Sequence, residues 1–141
     1  MNIQTQKCVI LIDKTLTTGT IANVAAVLSL SLGRILGEIV GPDIIDKSGE
    51  RHHGLTQLPI PVLGALSHEL REVRKNILST SMMDVILVDF NNYAQRARSY
   101  DEYVAGLQSA SPEDITYSGI ALCGNKKIIN QVTKGLKLLG N

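Results

Sequence analysis

The densest chemistry in the chain begins at Asp13, where the apolar run Cys8–Ile12 stops. A carboxylate at a strand end can orient a base, hold a metal-bound water or accept a substrate hydrogen bond. It can equally cap its own turn, leaving Lys14 a solvated neighbour. Thr17, Thr18, Gly19 and Thr20 follow at a helix start, where hydroxyls and free amides can seat an anion or simply cap the helix. Asn23, a polar residue in an alanine-rich helix, would face the same cleft as Asp13 or bond a neighbouring backbone as a buried amide. Asp89 ends a second buried run, before Asn91 and Asn92. Carboxylates on adjacent strand ends would serve as an acid/base pair if one were held protonated; turn capping is the alternative. Asp13 and Asp89 are therefore the catalytic candidates. Lys14, Thr18, Gly19, Thr20 and Asn23 are the ligand-binding candidates. No metal and no cofactor is expected.

The remaining reactive side chains point more to structure than to chemistry. His52 and His53 are neighbours in an extended segment, so they face opposite ways and do not share one metal. One could lean into a cleft as a general base, while an exposed hairpin pair explains both. His68 sits in the first turn of a helix and reads as surface. Cys123 precedes Gly124-Asn125 at a helix start, a place that lowers a thiol pKa, but it lies in an apolar run, as does Cys8. Both read as core residues on neighbouring strands.

These groups need a scaffold, and 141 residues suffice for one domain, residues 1–141, with a real core. The 44% hydrophobic and 19% charged content fits a globular protein, and with no tryptophan and one phenylalanine its core must be aliphatic. A net charge of +1 gives no global field for nucleic acid or membrane. Lys126 to Asn141 holds four lysines and no acid, which could meet an anionic partner or form a solvated helix face. The stretch Ile21–Leu36 is interrupted by Gly33 and Arg34 and reads as too short to span a bilayer comfortably. A reduced, cytoplasmic protein without membrane attachment is expected.

Along the chain, strand and helix signals alternate. Cys8–Ile12 reads as a strand buried on both faces. The next helix starts near Gly19 and sets Ile21, Val24, Ala25, Leu28 and Leu32 on its inner face. Its other side is apolar too, so a second cover is needed, a dimer partner being one candidate. Residues 41–54 read as a hairpin turning at Asp46–Gly49, and Pro59–Leu63 as extended, at an edge or a strand start. Ser67 can cap a helix to about Ser79, with Leu66, Leu70, Val73 and Ile77 inward. Asp84–Phe90 is the second buried strand. Ser99 opens a helix to about Ser109, Ser111-Pro112 opens a single turn, Ile115–Cys123 is a third strand, and a last helix runs from Gly124-Asn125 to about Gly135. The pattern predicts a three-layer α/β domain.

Several of these segments also carry a resemblance. The stretch from Lys7 to Leu28, the strand ending at Asp89, and Gly119 to Gly140 resemble the peptidyl-tRNA hydrolase II superfamily. The combination Asp13-Lys14-Thr15-Leu16, Ala22 to Val27, Gly41-Pro42-Asp43 with Asp46 to Gly49, Pro61-Val62-Leu63 and Tyr100-Asp101-Glu102-Tyr103 is similar to a bacterial branch of it, domain of unknown function family two thousand. The resemblance implies a mixed four-stranded sheet with helices on both faces, and a homodimer. Gly19-Thr20, Val24 and Val27 stand where the resembling hydrolases carry lysine, glutamine and histidine, so peptidyl-tRNA hydrolysis is not expected. Three functional readings follow. One is hydrolysis of an ester or amide on a small acyl-conjugated substrate. Another is a non-catalytic module that binds an anionic small molecule or an RNA end through the helix start and the Lys126/Lys127 region. The last is a purely structural dimer.

Overall fold

A computed structural model describes residues 2–80 and 84–141. In chain order it contains β1 (Gln6–Asp13), α1 (Thr18–Leu36), β2 (Ile44–Ile45), β3 (Arg51–His52), β4 (Val62–Ala65), α2 (Ser67–Ser79), β5 (Ile86–Asn91), α3 (Asn92–Arg96), α4 (Tyr100–Gln108), a 3₁₀ turn (Pro112–Asp114), β6 (Tyr117–Asn125), α5 (Lys126–Val132) and β7 (Lys137–Leu138). The strands form a sheet of order β5-β6-β1-β4-β7. Among the described residues only β1 and β4 pair in parallel, Ile10 opposite Val62 and Asp13 opposite Ala65; the other pairings of this sheet are antiparallel. The sheet is thus mixed, with five strands rather than four. The fifth, β7, is too short to leave a periodic signal, and it covers the edge that β4 would otherwise present.

Strand alternation sorts the core into two layers. Cys8, Ile10 and Ile12 of β1 join Ala121 and Cys123 of β6 and Phe90 of β5 on the side covered by α1. Val9 and Leu11 join Ile120 and Leu122 on the side covered by α2 and α5. Each layer receives a helix at the expected spacing: Val24, Leu28 and Leu32 from α1, and Leu70, Val73 and Ile77 from α2. By length and composition α1 is apolar enough to cross a membrane, but these three residues are packed on the sheet. Its outer side, with Leu30 and Ile35, has no cover among the described residues.

Details of the ends differ from expectation. The cap position of α2 is Leu66, and Ser67 instead donates its hydroxyl to the Tyr117 carbonyl across the sheet at 3.1 Å. The prolines at 59 and 61 stand just before β4, the strand-start alternative of the two expected, and β4 itself lies inside the sheet. The hairpin turns as its sequence demands. The Gly49 amide donates to the Asp46 carbonyl at 3.0 Å, and Gly49 holds φ 92°, a conformation open mainly to glycine.

Candidate functional site

The first strand end is occupied with its own turn. Asp13 Oδ1 accepts from the Thr15 amide at 3.0 Å and from the Thr15 hydroxyl at 2.7 Å, an arrangement that fixes the chain reversal before α1. Thr17 caps α1 without a side-chain bond to its amides, its hydroxyl lying 2.9 Å from that of Thr20. The first helical bond runs from Ile21 to Thr17. The amides of Thr18, Gly19 and Thr20 are therefore without a partner among the described residues. Lys14, Leu16, Thr18 and Ile21 line a cavity of about 620 Å³ whose far wall is Leu139 to Asn141.

A second cleft, of about 580 Å³, lies on the other flank of α1. Its floor and inner wall are Val24, Val27, Leu28 and Phe90; its rim carries Thr20, Asn23, Ser31, Gln95, Arg98 and Tyr103. An apolar body with a few convergent polar groups is the usual make-up of a small-molecule site. The five candidate ligand-binding residues are thus divided: Lys14 and Thr18 face the first cavity, Thr20 and Asn23 the second, and Gly19 lines neither. Helical spacing explains the split. Residues 20, 23, 24, 27 and 31 share one face of α1, while 18 and 21 lie round the side.

The outer wall of the cleft hangs on Asn91, which is fully buried. Its Oδ1 accepts from the amides of Tyr93 and Ala94 at 3.0 and 3.1 Å, starting α3, while its Nδ2 donates to Asp89 Oδ2 at 2.9 Å. Asn91, named in the sequence only beside Asp89, is the N-cap of α3, as an asparagine straight after a buried strand signals. From α3, Tyr93 packs so closely on α4 that a Cβ on Gly106 would lie 3.0 Å from its ring. Ser99 then caps α4 by accepting the Glu102 amide at 3.1 Å. Between the two helices Arg98 reaches the rim, and its guanidinium forms no ion pair with the described residues.

Asp89 borders this cleft but is held from behind. Besides Asn91, its carboxylate has Arg74 Nε of α2 at 3.9 Å. Burial, and then the negative charge of Asp89, push the Tyr103 phenol above its ordinary range, opposed by a hydrogen bond with Asn91 and reinforced by Tyr100. Asp13 is not a neighbour: β6 runs between β1 and β5, so the two acids are two strands apart, roughly 10 Å across the sheet. They share no cavity. Lys126 and Lys127 are also displaced from the α1 start. The Lys126 amide bonds Thr5 before β1 at 2.9 Å, at the opposite end of that strand from Asp13. One small ligand does not touch both.

The histidines stay on the hairpin. His52 Nε2 lies 2.7 Å from Asp46 Oδ2 and His53 Nδ1 3.2 Å from Asp43 Oδ2. The His52 contact, with the Ser48 hydroxyl second, holds the Asp46 carboxyl down to about 2. No group of three or more His, Cys, Asp or Glu residues suited to a metal occurs among the described residues.

Comparison with known proteins adds a family and a fold. A family model described as "Protein of unknown function (DUF2000)" matches residues 6–140. The solved structure of a protein of unknown function from Agrobacterium tumefaciens strain C58 has a TM-score of 0.84 to this one at 23% identity, covering 94% of this chain and 96% of that chain. At that identity the likeness speaks for the fold alone. No curated protein matches the chain.

Proposed function

The chain belongs to the DUF2000 family, and from the cleft between α1 and the α3–α4 corner we propose that it is a binding module for a small amphipathic anion rather than a hydrolase. The observation that carries this reading is the pairing of an apolar floor with one rim cation, Arg98, that has no carboxylate to satisfy it among the described residues. An apolar ligand body would replace water over Val24, Val27, Leu28 and Phe90, and its anionic end would meet Arg98 with Asn23 and Thr20 as orienting polar groups. Against turnover stand the two acids: Asp13 is held by Thr15, and Asp89 by Asn91. Among the described residues, no nucleophile with an adjacent base lines the cleft.

The scaffold belongs to the same proposal. We take it to be peptidyl-tRNA hydrolase II-like, supported by the mixed sheet with helices on both faces and by the strand–turn–helix at Gln6–Leu36. Thr20, Val24 and Val27 stand where those hydrolases carry working side chains, so the fold would serve here without their reaction. A bacterial, cytoplasmic homodimer completes the reading. Its support is the uncovered side of α1, where Leu30 is 79% exposed in a helix whose one charged residue is Arg34. Sedimentation should give a dimer at micromolar concentration and a monomer for Leu30→Glu; a monomeric parent protein overturns the dimer.

The cleft is tested with 8-anilino-1-naphthalenesulfonate, an apolar anion, and Nile red, a neutral apolar dye. Ala97→Trp, which puts an indole into the cleft from outside α1, should weaken both by about tenfold or more, equivalent to about 1.4 kcal/mol. Arg98→Gln should weaken the sulfonate while sparing Nile red. Unchanged affinity of both dyes for Ala97→Trp, at an unchanged melting temperature, would remove the cleft as the site.

A further inference from the structure

Cys8 and Cys123 are the two cysteines of the chain, and they face each other across the central strand pair. Their place in the ladder follows from its hydrogen bonds. The Lys126 amide donates to the Thr5 carbonyl, which makes residues 5 and 126 a hydrogen-bonded pair. Alternation through Gln6 opposite Asn125 and Lys7 opposite Gly124 puts Cys8 and Cys123 at a non-hydrogen-bonded position. The Ile10 amide agrees, since it points away from β6 to the Pro61 carbonyl at 3.0 Å. At such positions the Cα atoms are about 4.5 Å apart and the side chains lean together, within the range a disulfide bridges without moving backbone. The sulfurs already touch, Cys8 Sγ lying 2.8 Å from Cys123 Sγ.

We propose that Cys8 and Cys123 are a built site for an intrachain disulfide, closed by thiol–disulfide exchange with a low-molecular-weight disulfide before the sheet seals over them. In the exchange one cysteine thiolate attacks a sulfur of oxidised glutathione and releases one glutathione thiol. The second cysteine thiolate then attacks the mixed disulfide and releases the other. Two protein thiols are oxidised, one glutathione disulfide is reduced to two thiols, and the two protons lost by the cysteines end on the glutathione. Once the protein is folded the reduced pair is inert. Both residues are 1% exposed, and burial, then the neighbouring Cys123 thiol, pushes Cys8 up to about 12. The fold therefore preserves whichever state it closed on. At a reducing poise the thiols stay free; at an oxidising one the bond ties β1 to β6 across most of the chain.

The test cycles the full chain through urea in glutathione buffers of graded oxidation, then alkylates it under denaturant and weighs it. Oxidising buffers should give a chain about 2 Da lighter that takes up no alkyl group, with a Cys8–Cys123 linked peptide. Its melting temperature should rise by roughly 10 °C over the reduced form. Cys123→Ala should fold and lose both effects. Two alkylated cysteines at every buffer ratio would overturn the proposal, as would a disulfide form that melts below the reduced one.

Discussion

Asn91→Ala melts roughly 10 °C below the parent protein and loses the binding of 8-anilino-1-naphthalenesulfonate to the cleft. Asn91 is fully buried and both its polar atoms are engaged: Oδ1 accepts from two α3 amides and Nδ2 donates to Asp89. Alanine removes the helix cap, a loss of about 1 kcal/mol. It also leaves one part-buried Asp89 oxygen without its donor, at about 1–3 kcal/mol for a charged group. A sum near 3 kcal/mol corresponds to that shift in a domain of this size. Binding falls with it because α3 carries Ala94 and Gln95 into the cleft wall and leads to Arg98. Asn91→Asp separates the two roles. It keeps both amide acceptors but sets a second carboxylate against Asp89, which raises the proton affinity of the pair. An acid whose folded-state pKa is raised stabilises below its unfolded pKa and loses that stability as pH rises through the folded one. Asn91→Asp should therefore lie near the parent in melting temperature at pH 4 and well below it at pH 7. Equal deficits at both pH values would mean that Asp89 is not the partner that matters.

Local chemistry was readable wherever one segment decides its own shape. The Asp46–Gly49 turn, the Ser99 cap, the single turn at Pro112 and the inner faces of α1 and α2 depend on neighbours in sequence, and all appear as expected. What the sequence left open is which segments lie side by side. The pairing of Asp13 with Asp89 needed β1 and β5 adjacent, but β6, contributed from near the C-terminus, pairs with both. Nothing local to either acid encodes that insertion. The Lys126/Lys127 region lies away from the α1 start for the same reason. It starts the helix after β6, and because β6 is antiparallel to β1 its end returns to the start of that strand. Two further signals of the cleft are local. Thr20, Asn23, Val27 and Ser31 recur at helical spacing and mark the cleft face of α1. Asn91 followed by five helical residues marks the cap that builds the opposite wall.

Gly119→Ala is expected to destabilise the protein by about 2 kcal/mol and to reshape the cleft, although the substitution adds one carbon. Gly119 lies in β6 opposite Ile12 and Phe90, beneath α1. A Cβ there would stand 2.8 Å from Val24 Cγ1, 3.1 Å from Leu28 Cδ1 and 3.1 Å from the Leu11 carbonyl oxygen. The backbone oxygen belongs to the central strand and yields little, so the two α1 side chains must retreat. Val24 and Leu28 are cleft wall as well as core, so their displacement is felt by the dye. A double-mutant cycle isolates the contact. Val24→Ala alone leaves a cavity of its own, at a cost typical of truncating a buried aliphatic side chain. Combined with Gly119→Ala, the new methyl moves into the space that valine vacated, and the pair should be more stable than the sum of the single losses by about 1 kcal/mol or more. Strict additivity in urea unfolding, with dye affinity unchanged in Gly119→Ala, would mean that α1 is not seated on Gly119. If the coupling is found, the close approach of α1 to the sheet at this glycine sets both the stability of the domain and the depth of its cleft.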